Sequence, residues 1–178
     1  KEHRGTQHAA YLESCPYSDL KVFESVLESI PNNTHLQLGN SSIIRYTQLF
    51  DMNTSLDIFC NRGTSGIDGS TSTAIGAAHV NKNQTVFITG DISFFYDSNA
   101  LWNKHIKNDF RIILINNNGG GIFKVIPGPK ATNALSYFET PHGLTAMQLC
   151  EMYKIEYSTA NNLNELNVSL PDFYTESE

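Results

Sequence analysis

Two short apolar runs each end in a polar cluster. Thr85-Val86-Phe87-Ile88-Thr89 leads into Gly90-Asp91-Ile92-Ser93, and Ile112-Ile113-Leu114-Ile115 leads into Asn116-Asn117-Asn118-Gly119-Gly120. β-Branched runs of this length read as buried strands of a parallel sheet. A helix-like stretch over 98–107 lies between them, so the unit is β-α-β. Both polar clusters then stand at the carboxyl end of the sheet, where ligands bind in such folds. An Asp carboxylate, an Asn carbonyl oxygen and a free backbone carbonyl are hard oxygen donors. They suit Mg²⁺ or Ca²⁺, and a shell the protein leaves incomplete has room for phosphate oxygens. Asp91 alone reads equally well as a cap on the helix that follows it.

The rest of the chain repeats the alternation. Leu20, Phe23, Val26, Leu27 and Ile30 mark an amphipathic helix over 18–30, with Ser18 as its N-cap and Pro31 as its stop. A strand follows over 35–38, a strand-to-helix turn at Gly39-Asn40-Ser41, a helix over 42–50 and a strand over 56–60. After a Gly- and hydroxyl-rich loop at 61–69, a small-residue helix covers 70–79. The segment 124–140 has two prolines and no period, and reads as a long irregular excursion. A helix over 144–153 with Thr145 as its cap, a weak strand over 155–158 and a helix over 161–166 complete the pattern. This predicts a doubly wound α/β fold, a mainly parallel sheet with helices on both faces. The expected organisation is a linker from an upstream domain over 1–16, one domain over 17–170 and a polar tail over 171–178.

Composition removes several functions. The 178 residues carry a net charge of −6 with no Lys/Arg cluster, which argues against nucleic acid as a partner. No apolar run is long enough to span a membrane, and no signal peptide opens the chain. The three cysteines are widely spaced with no C-x-x-C, which points to reduced thiols in a cytoplasmic protein. The six histidines form no zinc-type motif.

Asp91 and Asn117 stand at the spacing of the Gly-Asp…Asn-Asn signature of thiamine diphosphate (ThDP) enzymes, and the chain resembles that group. Ile92 occupies the position where the signature usually has Gly, which argues against a generic ThDP decarboxylase. Four segments resemble, in order and wording, the C-terminal domain of the MenD family, synthases of menaquinone biosynthesis that make SEPHCHC. They are Gly39-Asn40-Ser41-Ser42-Ile43-Ile44-Arg45, Asn61-Arg62-Gly63-Thr64-Ser65-Gly66-Ile67-Asp68-Gly69, Gly90 to Asp97, and Asn116 to Phe123. The likeness covers about 36–157.

That resemblance implies a set of roles. Asp91, Asn117 and the Gly119 carbonyl would hold Mg²⁺, or Mn²⁺ in its place, against the ThDP diphosphate. Gly66, Gly90, Ile92 and Ser93 would line the cofactor. Ile67 would be the wedge that keeps the cofactor bent, and Ile122 and Phe123 an apolar wall beside its thiazolium. Ser41, Arg45 and Arg62 would meet the carboxylates of 2-oxoglutarate and isochorismate, since a guanidinium pairs bidentately with carboxylate. The glutamate that activates the cofactor belongs, in the family, to an N-terminal domain of a partner subunit in a dimer or tetramer. None of Glu2, Glu13, Glu24 or Glu28 lies in such a motif, so no catalytic residue is assigned here and this piece alone is expected to be inactive. Other ThDP enzymes, such as an acetolactate synthase or a 2-hydroxyacyl lyase, and a non-enzymatic flavodoxin-like nucleotide-binding module remain the alternatives.

Overall fold

The structure is a computed structural model that describes residues 2–175, with side chains from residue 5 onward. In chain order it runs α1 (Glu2–Ser14), α2 (Asp19–Ser29), β1 (His35–Leu38), α3 (Ser42–Thr47), β2 (Asp57–Cys60), α4 (Ser70–Val80), β3 (Thr85–Gly90) and α5 (Asp91–Tyr96). It continues with β4 (Arg111–Ile115), α6 (Leu135–Glu139), α7 (Met147–Tyr153) and α8 (Leu163–Phe173). The four strands form one parallel sheet in the order β2-β1-β3-β4.

Strand alternation builds two cores. Leu36, Leu38, Val86, Ile88, Ile113 and Ile115 point to one face and pack with Phe23, Val26 and Leu27 of α2, Ile43 of α3, and Leu166 and Leu170 of α8. Phe87, Ile112 and Leu114 point to the other face, against Ala74, Ile75 and Ala78 of α4, Phe94 of α5 and Cys150 of α7. Each fully buried apolar side chain contributes about 1.5–3 kcal/mol, so both layers are needed to hold β1 and β3 at the centre. The small residues Ala74 and Ala78 of α4 are buried against the sheet. The doubly wound architecture is the one expected.

The order of strands creates a switch point. From β1 the chain turns to β2 on one side; from β3 it turns to β4 on the other. The carboxyl ends of β1 and β3, adjacent and in register from His35↔Thr85 to Leu38↔Ile88, therefore flank the crevice.

Several elements differ from expectation. Residues 2–14, where no periodicity marks an element, form a helix; Leu12 is buried, and His8 sets its ring edge-on to Phe50 at 5.2 Å. Ser18 stands at the N-cap of α2, but its hydroxyl donates to the Pro16 carbonyl and caps nothing. Helix α3 stops at Thr47. The helix expected over 98–107 is replaced by α5, which starts directly at Asp91, and a 3₁₀ turn at Ser98–Trp102. Helix α7 begins at Met147 behind Ala146, so Thr145 is not its cap. No strand forms over 155–158. Lys154 takes a left-handed φ of 58°, and the Ile155 N–H returns to the Cys150 carbonyl, so this segment terminates α7. Helix α8 runs through Pro171 to Phe173, across the boundary expected at 171. Its end is anchored: Arg111 donates Nε to the Phe173 carbonyl at 2.5 Å and Nη2 to the Thr175 carbonyl, and the Tyr174 hydroxyl meets Ser29 Oγ at 2.9 Å. Burial pushes the Tyr174 phenol above its usual range. The excursion over 124–140 holds a 3₁₀ turn at Pro129–Ala131 and α6. Among the described residues no helix is long and apolar enough to cross a membrane.

Candidate functional site

Asp91 lies at the tip of β3, beside the switch point, and is 2% exposed. It is the first residue of α5, directly after the N-cap Gly90. Its Oδ1 accepts from the Ile92 N–H at 2.7 Å, and its Oδ2 accepts from the Gly119 N–H at 2.9 Å. The second bond reaches across from β3 to the turn after β4. No Lys or Arg pairs with this carboxylate among the described residues; the only group in ion-pair range is the His142 ring, with Nε2 3.2 Å from Oδ2.

The turn after β4 is built for that approach. Register pairs Gly90 with Ile115, so Asp91 and the asparagine cluster continue from neighbouring strand ends. Asn118 is left-handed at φ 65°, and Gly119 has φ +144°. A Cβ on Gly119 would stand 2.6 Å from the Glu139 carbonyl, so only glycine fits there. Asn117 is exposed and donates Nδ2 to Asp19 Oδ2 at 2.8 Å, which commits its nitrogen and leaves Oδ1 as an acceptor facing elsewhere. The Gly119 carbonyl accepts one bond, from the Gly121 N–H at 2.9 Å, and keeps a second lone pair. Asn116 holds the turn from outside, donating Nδ2 to the Leu144 carbonyl and accepting from the Asn118 N–H. A buried carboxylate without a fixed strong cation, a carboxamide oxygen and a spare backbone carbonyl form a donor set that fits Mg²⁺ sharing its shell with phosphate. Among the described residues no cluster of three His, Cys, Asp or Glu side chains offers a different metal site.

The loop after β2 is fastened on both sides of Ile67. Buried Asn40, at the tip of β1, donates Nδ2 to the Ser65 and Gly66 carbonyls. Ser93, buried in α5, donates Oγ to the Ile67 carbonyl at 2.6 Å. Three successive carbonyls are thus held, and the Ile67 side chain between them is half-buried. The Ser93 hydroxyl is therefore committed to this loop; its backbone N–H belongs to the first turn of α5, whose donors have no helical partner. A Cβ on Gly66 would meet only Asp68 Oδ1 closely, at 2.7 Å, the end of an exposed side chain that can turn aside.

Ser41 sits between β1 and α3 at φ 69°, a costly conformation for serine. Its carbonyl accepts from Arg45 Nη1 at 2.9 Å, which folds the guanidinium back over the strand end. Arg62 donates Nη1 to Asn40 Oδ1 at 2.9 Å. The structure thus gathers Ser41, Arg45 and Arg62 around Asn40. Both guanidinium groups are exposed, and neither forms an ion pair among the described residues. Ile122 and Phe123 lie half-buried in the 3₁₀ turn Gly121–Lys124, and Phe123 packs on Phe138 with ring centroids 5.2 Å apart. The sequence reading missed the roles of Asn40, which stood inside a recognised segment, and of His142, which stood in none.

An open parallel sheet with a buried carboxylate, glycine turns and backbone donors at its switch point defines a diphosphate-binding α/β domain. Residues 38–176 match the family described as "Thiamine pyrophosphate enzyme, C-terminal TPP binding domain", and the chain belongs to that family. It is 52% identical over 178 residues to a 2-succinyl-5-enolpyruvyl-6-hydroxy-3-cyclohexene-1-carboxylate synthase of Christiangramia forsetii, an alignment covering 99% of this chain and 31% of that protein. It is 56% identical over 169 residues to the synthase of the same name from Flavobacterium johnsoniae, covering 94% of this chain and 30% of that protein. The chain therefore spans about a third of the length of the relatives it matches. Its fold is similar to that of benzoylformate decarboxylase from Polynucleobacter necessarius, with a TM-score of 0.72 at 18% identity, over 91% of this chain and 32% of that one.

Proposed function

We propose that this chain is the diphosphate- and metal-binding part of a ThDP- and Mg²⁺-dependent synthase. The enzyme decarboxylates 2-oxoglutarate and adds the resulting four-carbon unit to isochorismate, giving SEPHCHC for menaquinone biosynthesis in the cytoplasm. The observation that carries the reading is the buried Asp91 carboxylate, held at the switch point by the Gly119 N–H with no Lys or Arg to neutralise it. The name that the relatives carry is that of the product's synthase and supports this reading. When bound, ThDP supplies the electron sink for loss of CO₂ and for carbon–carbon bond formation.

The residues of this chain bind and orient. Asp91, Asn117 Oδ1 and the Gly119 carbonyl are the ligands of Mg²⁺. Gly90, Ile92 and Ser93 form the turn against which the diphosphate lies. Gly66 and Ile67 brace the cofactor from the loop after β2, and Ile122 and Phe123 close its apolar side. Ser41, Arg45 and Arg62 receive substrate carboxylates. The complete enzyme acts as a homo-oligomer in which another domain supplies the activating glutamate, so this piece alone does not turn over.

Calorimetric titration of the complete protein with ThDP and Mg²⁺ tests the assignment. Asp91→Ala should weaken binding by more than the roughly 10–100-fold that loss of an outer-shell partner costs. Wild-type affinity in that variant would remove Asp91 from the metal shell.

A further inference from the structure

Among the described residues His142 is the one histidine in contact with Asp91, and it reaches the site from outside the ThDP signature. It sits in Thr140-Pro141-His142-Gly143-Leu144, a segment whose other residues are exposed, yet its own side chain is only 10% exposed. The segment doubles back onto the asparagine turn. The His142 N–H donates to the Asn118 carbonyl at 3.4 Å, and the Leu144 carbonyl accepts from Asn116 Nδ2 at 2.9 Å. The ring stands edge-on to Phe95, with centroids 5.4 Å apart and planes at 90°.

The two ring nitrogens are distinguished. Nδ1 accepts from the Leu144 N–H at 3.1 Å, so the proton of the neutral ring is on Nε2. Nε2 is buried and has no hydrogen bond of good geometry; what it faces is Asp91 Oδ2, at 3.2 Å. A buried donor with its tautomer fixed and one carboxylate in front of it is how a metal-ligating group is held by its neighbours.

Resting on the metal assignment above, we propose that His142 is a positioning residue. Its Nε2–H steadies the Asp91 carboxylate for the cation, and the same contact docks the 140–144 segment against the cofactor site. A group contributed from beyond the excursion then couples the folding of that segment to metal retention.

The test uses the complete protein with ThDP and Mn²⁺ as the probe. Bound Mn²⁺ is measured from the loss of the aqueous Mn²⁺ electron paramagnetic resonance signal. His142→Leu removes the donor and should weaken Mn²⁺ binding about 10–100-fold. His142→Gln restores an N–H at a similar reach and should recover most of the affinity. A purely structural role would make the two variants fail alike, and a ring that competes with the cation would make His142→Leu bind more tightly; either result overturns the proposal, as does unchanged binding in His142→Leu. Should the leucine variant not fold, ¹⁵N shifts of the histidines in the ThDP·Mg²⁺-loaded wild type decide: His142 protonated at Nε2 supports the role, and at Nδ1 overturns it. Asp91→Ala is the control. If the wild type takes up no Mn²⁺ with ThDP, or Asp91→Ala binds it equally well, the metal assignment itself fails. If Asp91→Ala loses the ion while His142→Leu keeps it, only the role of His142 falls.

Discussion

At the scale of single residues, the site separates groups that hold from groups that wait. The Asn40 carboxamide, the Ser93 hydroxyl and the Gly119 N–H are spent on neighbouring segments, whereas Arg45 and Arg62 each leave most of a guanidinium without a partner among the described residues. Charge-assisted bonds to a substrate carboxylate are worth about 1.5–3 kcal/mol. Under the proposed function, Arg45→Ala and Arg62→Ala in the complete enzyme should therefore each lower kcat/KM for 2-oxoglutarate or isochorismate by roughly 10–150-fold, with ThDP affinity nearly unchanged. Steady-state constants that match the wild type for both substrates would take these arginines out of the pocket. Arg62 also orients Asn40, so a fall in ThDP affinity for Arg62→Ala alone would point to loop support as its task. The placement of Asp91 and Asn117 at neighbouring strand ends was legible in the sequence because each follows an apolar run. Asn40 and His142 were not, because their partners lie in segments remote in the chain, and residue type alone says nothing about which loops meet.

At the scale of elements, the strands were legible wherever an apolar run is buried, and the errors fall where tertiary contact decides. Helix α1 has few apolar residues to betray it, and the segment after α7 is taken up in terminating that helix. Helix α4 shows how a neighbour completes an element. It begins behind Gly69, which offers no side chain to its free N–H groups. Asp97 supplies one from the end of α5: Oδ2 accepts from the Ser72 N–H and Oδ1 from the Ser72 hydroxyl, both at 2.7 Å. Asp97 is 5% exposed, and its negative charge lies at the positive end of the helix. Asp97→Ala should destabilise the protein by about 1–2 kcal/mol and Asp97→Asn by less, since a carboxamide still offers one acceptor. Urea unfolding would show this as a lower midpoint with an unchanged slope; equal midpoints for alanine and wild type would mean that α4 needs no cap from α5.

At the scale of the whole molecule, chemistry and stability occupy opposite ends of the sheet. All four strands deliver their site residues at their carboxyl ends, and side-chain bonds tie those ends into a rim: Arg62 to Asn40, Asn40 to the 65–66 backbone, Ser93 to Ile67, Asp91 to Gly119. The amino-terminal end holds a titratable group with no part in that rim. His35 opens β1, is buried, and stacks on Phe59 with centroids 4.9 Å apart. Its nitrogens lie 2.7 Å from the Gln37 carboxamide and 2.9 Å from that of Asn81. Both neighbours turn carboxamide nitrogens to the ring, which can donate to it but cannot accept from an imidazolium, so they favour the uncharged form. Burial holds its pKa below the ordinary 6.5, opposed in part by the nearby Asp57. The unfolded chain then binds the proton more readily than the folded one, so stability is fully present above pH 6.5 and falls as the pH drops through the lowered value. His35→Gln, which cannot titrate, should flatten the dependence of unfolding free energy on pH between about 7.5 and 5.5. It should leave Mg²⁺-dependent ThDP binding at pH 7.5 as it is in the wild type. An unaltered slope would assign the acid sensitivity to another group, and a loss of ThDP affinity would show that the two ends of the sheet are not energetically separate.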